Sequence, residues 1–180
     1  MRIGVFTALY QQFDFEDALD KAAAAGVSAV EIGVGGYPGS RHCRVDELLA
    51  GAAERRAFLE AIAARGLLLS ALSVHNNPLH PDPAVARLAD AELRNAVRLA
   101  QAHGVPVVNG DSSPPAGAPG DSMPNWVTCP WPPEFLQMLD YQWNEVAIPY
   151  WREMEQFAAA HGVQIAFEMH PGMLVYNVEP

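Results

Sequence analysis

Short apolar runs alternate along the chain with longer stretches in which apolar residues recur every three or four positions. The short runs have the length of β-strands, and they are apolar on both faces. The longer stretches are typical of amphipathic helices. The pattern predicts strands over residues 3–8, 29–34, 67–74, 105–109 and 163–169.

The helices between these strands have recognisable ends and interruptions. Asp14 and Asp82 are suited to be N-caps, because a short acidic side chain can accept from the free backbone N–H groups of the first turn. Gly51 is a break in the second helix, and Pro149 should kink or split the fourth. The four predicted helices cover residues 15–25, 45–65, 83–103 and 132–161.

Strands that are apolar on both faces and separated by helices pair in parallel through right-handed crossovers. A (β/α) barrel and a doubly wound sheet both fit this order. Polar residues stand at the carboxyl ends of four strands, which favours the barrel, because residues from many strands meet at that face. Five βα units cannot close an eight-stranded barrel. The sequence therefore predicts an α/β fold of the TIM-barrel type, present as a partial barrel.

The charge balance excludes several partners. The chain has 11 Lys and Arg against 21 Asp and Glu, a formal net charge of −10, whereas binding to nucleic acid depends on basic residues. No apolar run approaches the ~20 residues of a membrane span, and the N-terminus lacks a signal-peptide pattern. Cys43 and Cys129 have neither disulfide-framework nor zinc-site spacing. We expect a cytoplasmic protein with neither nucleic acid nor membrane as a partner.

Glu168 and His170 give the sharpest chemical signal. They stand two positions apart on the fifth predicted strand, so their side chains would share one face. A buried carboxylate beside an imidazole can bind a divalent metal or transfer a proton. The structural alternative is a strand-end Glu held by backbone N–H groups and a His that caps a loop.

Further polar and aromatic residues near the strand ends are candidates for substrate binding. His75 ends the third predicted strand, and the neighbouring Asn76 offers an amide to substrate hydroxyls. Asn109 ends the fourth strand. Glu31, on the second strand, either binds substrate or bridges strands as a structural carboxylate. Trp126, in the long proline-rich loop after the fourth strand, is a candidate wall of the pocket.

Glu31 forms a recognisable set with three segments, 70–81 (SALSVHNNPLHP), 124–133 (PNWVTCPWPP) and 165–172 (IAFEMHPG), the last followed by Leu174-Val175-Tyr176-Asn177. Together they resemble the sugar phosphate isomerase/epimerase family. This family lies within the xylose isomerase-like TIM-barrel superfamily, which is related to the endonuclease IV barrels. The resemblance runs over the whole chain, and its last motif is specific.

The resemblance implies a divalent metal, Mn²⁺, Mg²⁺, Co²⁺ or Zn²⁺, at the C-terminal face of the barrel. Glu168 stands where the family has a metal-binding glutamate, which in the ketose epimerases also takes part in proton transfer beside a carbonyl. His170 would lie near the metal or substrate, and His75 in the sugar pocket. The expected activity is isomerisation or epimerisation of a sugar or sugar phosphate in carbohydrate metabolism.

In the family, the other metal ligands come from strands six to eight, which would lie beyond Pro180. We therefore expect residues 1–180 to be the N-terminal portion of a barrel domain, with an incomplete metal site. Two alternatives stay open. One is a non-catalytic or truncated partial barrel that needs association, for example as a homo-oligomer; the other is an inosose dehydratase-like lyase. The negative charge argues against an endonuclease IV-type nuclease.

Overall fold

Five parallel strands form one sheet in which each strand lies beside its neighbours in the sequence. The structure, a computed structural model, describes residues 1–178. A doubly wound sheet would reverse its strand order at a switch point, and this sheet does not, so the barrel-type prediction is confirmed. The sheet is open, as expected of a partial barrel. Its strands are β1 (Gly4–Phe6), β2 (Ala29–Gly36), β3 (Leu68–His75), β4 (Val107–Gly110) and β5 (Gln164–Phe167).

Helices connect the strands close to the predicted positions. The second predicted helix is divided at Gly51, as expected. The fourth is divided into two α-helices by a π-helix over Tyr141–Ala147, and Pro149 lies in the first turn of the later one. The proline ring would otherwise meet the carbonyl of Glu145, which falls in this wider segment. The helices are α1 (Phe15–Ala24), α2 (Val45–Ala50), α3 (Ala52–Ala63), α4 (Pro83–His103), α5 (Glu134–Asp140) and α6 (Ile148–Ala160).

The predicted N-caps are present. The Asp14 carboxylate accepts from Asp17 N at 3.0 Å, and the Asp82 carboxylate accepts from Ala84 N at 2.7 Å. Each bond satisfies a backbone N–H group that has no partner inside its helix.

The helices cover one face of the sheet and form the main hydrophobic core. Alternate strand residues belong to this core, so the residues between them lie on the opposite face, toward the barrel interior. Core residues from both layers include Val30, Ile32, Leu72, Val108, Leu19, Ile62, Val97 and Met154, each at most 2% exposed.

The first and last strands are shorter than predicted. β1 ends at Phe6 and continues as a 3-10 helix over Thr7–Tyr10. β5 ends at Phe167, so the predicted extension to residue 169 is wrong. Both are edge strands with a neighbour on only one side, so fewer ladder hydrogen bonds extend them.

Residues 1–178 contain no helix that is long and apolar enough to cross a membrane. The predicted domain boundary at residue 180 lies outside the described residues, and the assignment of the chain to a single domain portion stays a prediction.

Candidate functional site

The carboxyl ends of β3, β4 and β5 bring three titratable side chains to the inner face of the sheet. His75 is the last residue of β3, while Asp111 and Glu168 directly follow β4 and β5. His75 Nε2 lies 2.9 Å from Glu168 Oε2. A carboxylate oxygen can only accept, so Nε2 is the donor in this pair. The other ring nitrogen, Nδ1, is buried and has no partner among the described residues.

The backbone of Glu168 continues the path of β5, although the strand itself ends at Phe167. Its backbone N–H donates to Gly110 O at 2.9 Å, which continues the ladder by one residue. Its side chain is 58% exposed, so the expectation of a buried carboxylate was wrong. The exposure follows from the open sheet, because β5 has a neighbour on one side only.

The sequence pattern predicted that His170 shares a strand face with Glu168, but the strand ends before both residues. His170 lies in a turn, and its Nδ1–H donates to Pro171 O at 2.6 Å. Since Pro171 cannot donate to a ladder, the chain leaves the sheet before this point. The turn nevertheless returns His170 to the cavity that Glu168 lines.

Asp111 is the site residue that the candidate set lacked. It is only 6% exposed. Burial raises the pKa of this carboxyl, His75 and His170 lower it, and Glu168 raises it further. The signal for Asp111 in the sequence is the run Asn109-Gly110-Asp111. Side chains two positions apart on a strand point to the same face, so Asp111 lies on the face of Asn109, one step nearer the carboxyl end of the sheet.

These side chains surround a cavity of about 480 Å³ at the C-terminal edge of the sheet. A volume of this size is within the range of small-ligand sites. The lining combines titratable side chains with apolar and aromatic ones. It consists of Phe6, Ala8, Tyr37, Pro38, His75, Asp111, Glu168, His170, Pro171 and Met173.

Glu31 and Asn109 lie deeper on the inner face than the cavity residues. The Glu31 carboxylate accepts from the Ser73 hydroxyl, which links β2 to β3. Ser73 stands opposite Asn109 in the register of β3 and β4. Neither Glu31 nor Asn109 lines the cavity. The contact observed for Glu31 is thus the bridging one of its two predicted roles, and substrate binding by Glu31 stays a prediction.

Asn76 and Trp126 are also outside the cavity lining. The Asn76 amide donates to Ala89 O at 3.1 Å and to Glu92 Oε2 at 2.8 Å, so its donors are directed at α4. Trp126 packs edge-on against Tyr176, with 5.6 Å between ring centroids. Of the predicted site residues, the structure thus brings together Glu168, His75 and His170.

A larger groove of about 890 Å³ runs along α6 and β5. It contains none of the His, Asp and Glu residues of the strand-end cavity, although Arg152 and Glu155 lie in its own lining. Its lining is mostly apolar, with Trp151, Ile165 and Phe167 among its members. The smaller cavity holds a hydrogen-bonded imidazole–carboxylate pair of the kind that acid–base chemistry uses, so it is the candidate active site.

The donors present do not by themselves form a divalent metal site. Among residues 1–178, no group of three or more His, Cys, Asp or Glu side chains is arranged to hold a metal ion. Such an ion needs several oxygen or nitrogen ligands. Glu168 is the one described residue to which the resemblance assigns this role.

We expect the two cysteines to differ sharply in reactivity. Cys43 is buried, and burial raises the pKa of its thiol to about 12, although His42 and Arg44 flank it. Cys129 is exposed. Because the thiolate is the nucleophile, Ellman's reagent at pH 8 should titrate one thiol in the native chain and two in guanidinium chloride. A rapid native reaction of both thiols would contradict the burial of Cys43, and Cys129→Ser identifies which thiol reacts.

Comparison with known proteins assigns the fold to a family. The sequence profile of the xylose isomerase-like TIM barrel family matches residues 19–179. The chain belongs to this family. The xylose isomerase-like barrel accounts for both the consecutive parallel strands and the cluster of polar residues at their carboxyl ends.

A sequence relative and two solved structures agree with this assignment. The chain is 38% identical over 182 residues to the uncharacterized protein YfiH of Bacillus subtilis (strain 168), covering 99% of the chain and 58% of that protein. It shares its fold with D-psicose 3-epimerase of Clostridium cellulolyticum H10, with a TM-score of 0.57 and 16% identity. The match covers 94% of this chain and 52% of the epimerase chain. The same fold is found in the probable 3-DHS dehydratase AsbF of Bacillus anthracis, with a TM-score of 0.62 and 14% identity. That match covers 97% of this chain and 54% of the AsbF chain. The xylose isomerase-like chain thus spans little more than half the length of these relatives.

Proposed function

We propose that this chain carries part of the active site of a sugar isomerase or epimerase, which moves a proton at a carbon next to a carbonyl. The observation that carries the proposal is the His75–Glu168 pair, 2.9 Å apart, at the wall of a cavity of about 480 Å³. The family and its epimerase fold relatives favour this chemistry over others that the barrel can host.

Glu168 is the proposed base. Its carboxylate takes the proton from the carbon beside the carbonyl. The electron pair of the broken C–H bond forms a C=C bond to the carbonyl carbon, whose oxygen takes the negative charge, and the product is an enediolate. Protonation of the same carbon from the opposite face, by a second acid on that face, gives the epimer, whereas return of the proton from Glu168 to the neighbouring carbon gives the isomer. The hydrogen bond from His75 Nε2 orients the carboxylate, and His170 lines the same cavity as a further polar contact for substrate oxygens.

Metal dependence is a separate prediction, since the described donors do not form a site. We expect Glu168 to contribute one ligand and the other ligands to come from elsewhere. Titration of the chain with Mn²⁺, repeated with Glu168→Ala, tests this expectation. Micromolar binding that is lost in the variant would support it, and the absence of saturable binding would contradict it for this chain alone.

A partial barrel that acts only after association is the second candidate. The open edge of β5 and the apolar groove beside it favour this reading, because an unpaired strand edge invites pairing with another chain. If it holds, activity per chain should rise with protein concentration as larger species form in analytical ultracentrifugation. The predicted lyase activity, cytoplasmic location and lack of a nucleic-acid partner stay predictions.

The deciding experiment is hydrogen exchange in deuterated water. The chain is incubated with D-fructose or D-tagatose, with and without Mn²⁺, and proton NMR follows loss of the signal at the carbon beside the carbonyl. Exchange above the buffer rate supports the proposal. Exchange at the buffer rate under both conditions, over a range of protein concentrations, would reject it for this chain.

A further inference from the structure

A carboxylate in the helix layer contacts the strand ends that carry the candidate site. Glu92 lies on α4 and is half-buried. Its Oε2 accepts from Gly36 N at 3.1 Å and from the Asn76 amide at 2.8 Å. Gly36 is the last residue of β2, and Asn76 directly follows His75, the last residue of β3. One oxygen of a helix side chain therefore joins two strand ends beside His75.

The contact with Gly36 falls at an irregularity of β2. Gly33 pairs with Ser73 and Gly36 pairs with His75, so β2 advances three residues where β3 advances two. Such a bulge disrupts the ladder locally, and bulges are common beside active sites, where they change the direction of a side chain. Glu92 accepts from the backbone N–H at the end of this bulge and so holds the bulged segment against α4.

The residue on the other side of the contact is held by further hydrogen bonds. The Asn76 amide also donates to Ala89 O at 3.1 Å, three residues before Glu92 on α4. Asn76 O accepts from the Ser113 hydroxyl at 3.2 Å. The preceding carbonyl, His75 O, accepts from Tyr37 N at 2.7 Å. These bonds fix the backbone from which the His75 side chain extends.

We propose that Glu92 is a positioning residue for the His75–Glu168 pair. By joining the β2 bulge to Asn76, it holds the backbone from which the His75 imidazole reaches Glu168, where Nε2 donates to Oε2 at 2.9 Å. Hydrogen bonds tolerate a distance range of only about 0.5 Å, so a small shift of this backbone breaks the pair. The role of the pair in proton transfer rests on the proposed function, whereas the contacts of Glu92 do not depend on it.

The position requires an acceptor rather than a charge. Both donors to Glu92, a backbone N–H and a side-chain amide, are uncharged. The amide oxygen of a glutamine has two lone pairs and can accept the same two bonds. Glu92→Gln should therefore keep the pair in place, whereas Glu92→Ala removes the acceptor.

The tautomer of His75 tests the proposal without any need for catalysis. Proton–nitrogen correlation NMR of the full chain at pH 8 distinguishes the two tautomers of an imidazole, and His75→Gln assigns the signals. We expect His75 to carry its proton on Nε2, because Glu168 can only accept. In Glu92→Ala the two ring nitrogen shifts should move toward each other, as in a ring that populates both tautomers. In Glu92→Gln they should stay in place.

The matched control is Glu60→Ala, because Glu60 is exposed on α3 and its loss removes the same charge. It should leave the His75 signals unchanged. C–H exchange in a ketose gives a second readout: Glu92→Ala should lower kcat roughly tenfold with little change in KM, and Glu92→Gln should restore it. Should Glu92→Ala fail to fold, Asn76→Ala removes one of the two bonds from the other side and is expected to shift the same His75 signals.

Three results would overturn the inference. Unchanged His75 signals in Glu92→Ala, with only a lower midpoint in urea, would show that Glu92 merely stabilises the fold. Equal shifts in Glu92→Gln and Glu92→Ala would show that the acceptor oxygen is not what holds His75. Equal shifts in Glu60→Ala would show that the effect is not specific to Glu92. Absence of C–H exchange in the unaltered chain would reject the proposed function, and the tautomer would still decide the role of Glu92.

Discussion

Glu168→Gln is expected to lower the rate of C–H exchange in a ketose by about a thousandfold while the chain stays folded. Removal of a positioned general base typically costs ~10² to 10⁴ in rate. The amide preserves the shape of the side chain and can still accept from His75 Nε2, but it cannot take a proton. Because the side chain is 58% exposed, its replacement should change the free energy of unfolding little. Proton NMR in deuterated water gives the rate, and urea unfolding gives the stability.

The matched control is Glu145→Gln in the π-helix, where an exposed carboxylate lies outside the cavity lining. It removes the same charge and should leave exchange unchanged. If Glu168→Gln lost less than about tenfold, Glu168 would not be the base. Asp111 would then be the next group to replace, since it is the other carboxylate in the cavity.

The central part of the fold was predictable because local and long-range signals agree there. α4 begins after Asp82, whose side chain caps it, and β2 and β3 are mostly apolar strands with a neighbouring strand on each side. The edges were less predictable. Residues 7–8 and 168–169 satisfy the strand pattern in the sequence, but a strand at the edge of a sheet has hydrogen bonds from only one neighbour to extend it.

The site was predictable where strand periodicity decides the direction of a side chain. His75 ends β3 and Glu168 directly follows β5, and they meet on the inner face as expected of residues at one end of a parallel sheet. Periodicity does not reveal which polar groups are already bonded. The Asn76 amide resembles a substrate donor in the sequence, but Glu92, sixteen residues away on α4, accepts from it. Such a partner becomes apparent only after the helix packs on the sheet.

The same contact links the fold to the site. Glu92 accepts from the backbone N–H of Gly36, the last residue of β2, and the next residue, Tyr37, donates its N–H to the His75 carbonyl. The geometry of the cavity therefore depends on a close approach of two backbones at the β2–β3 edge. That approach leaves no room for a side chain at residue 36.

Gly36→Ala is expected to destabilise the chain by about 3 kcal/mol or more. Gly36 has φ of +64°, and a Cβ at this position would lie 2.1 Å from His75 O. The left-handed conformation alone costs an alanine about 1 to 2 kcal/mol. The overlap adds to this cost, because the neighbour is backbone in a paired strand and cannot rotate away. Urea unfolding should show a lower midpoint.

Gly26→Ala separates the two contributions. Gly26 has φ of +78° and open space around the position of its missing Cβ, so this variant should lose only the conformational part, about 1 kcal/mol. Equal losses in the two variants would show that the β2–β3 edge relaxes to admit a methyl group. A larger loss at Gly36 than at Gly26 would show that the close backbone approach itself stabilises the β2–β3 edge.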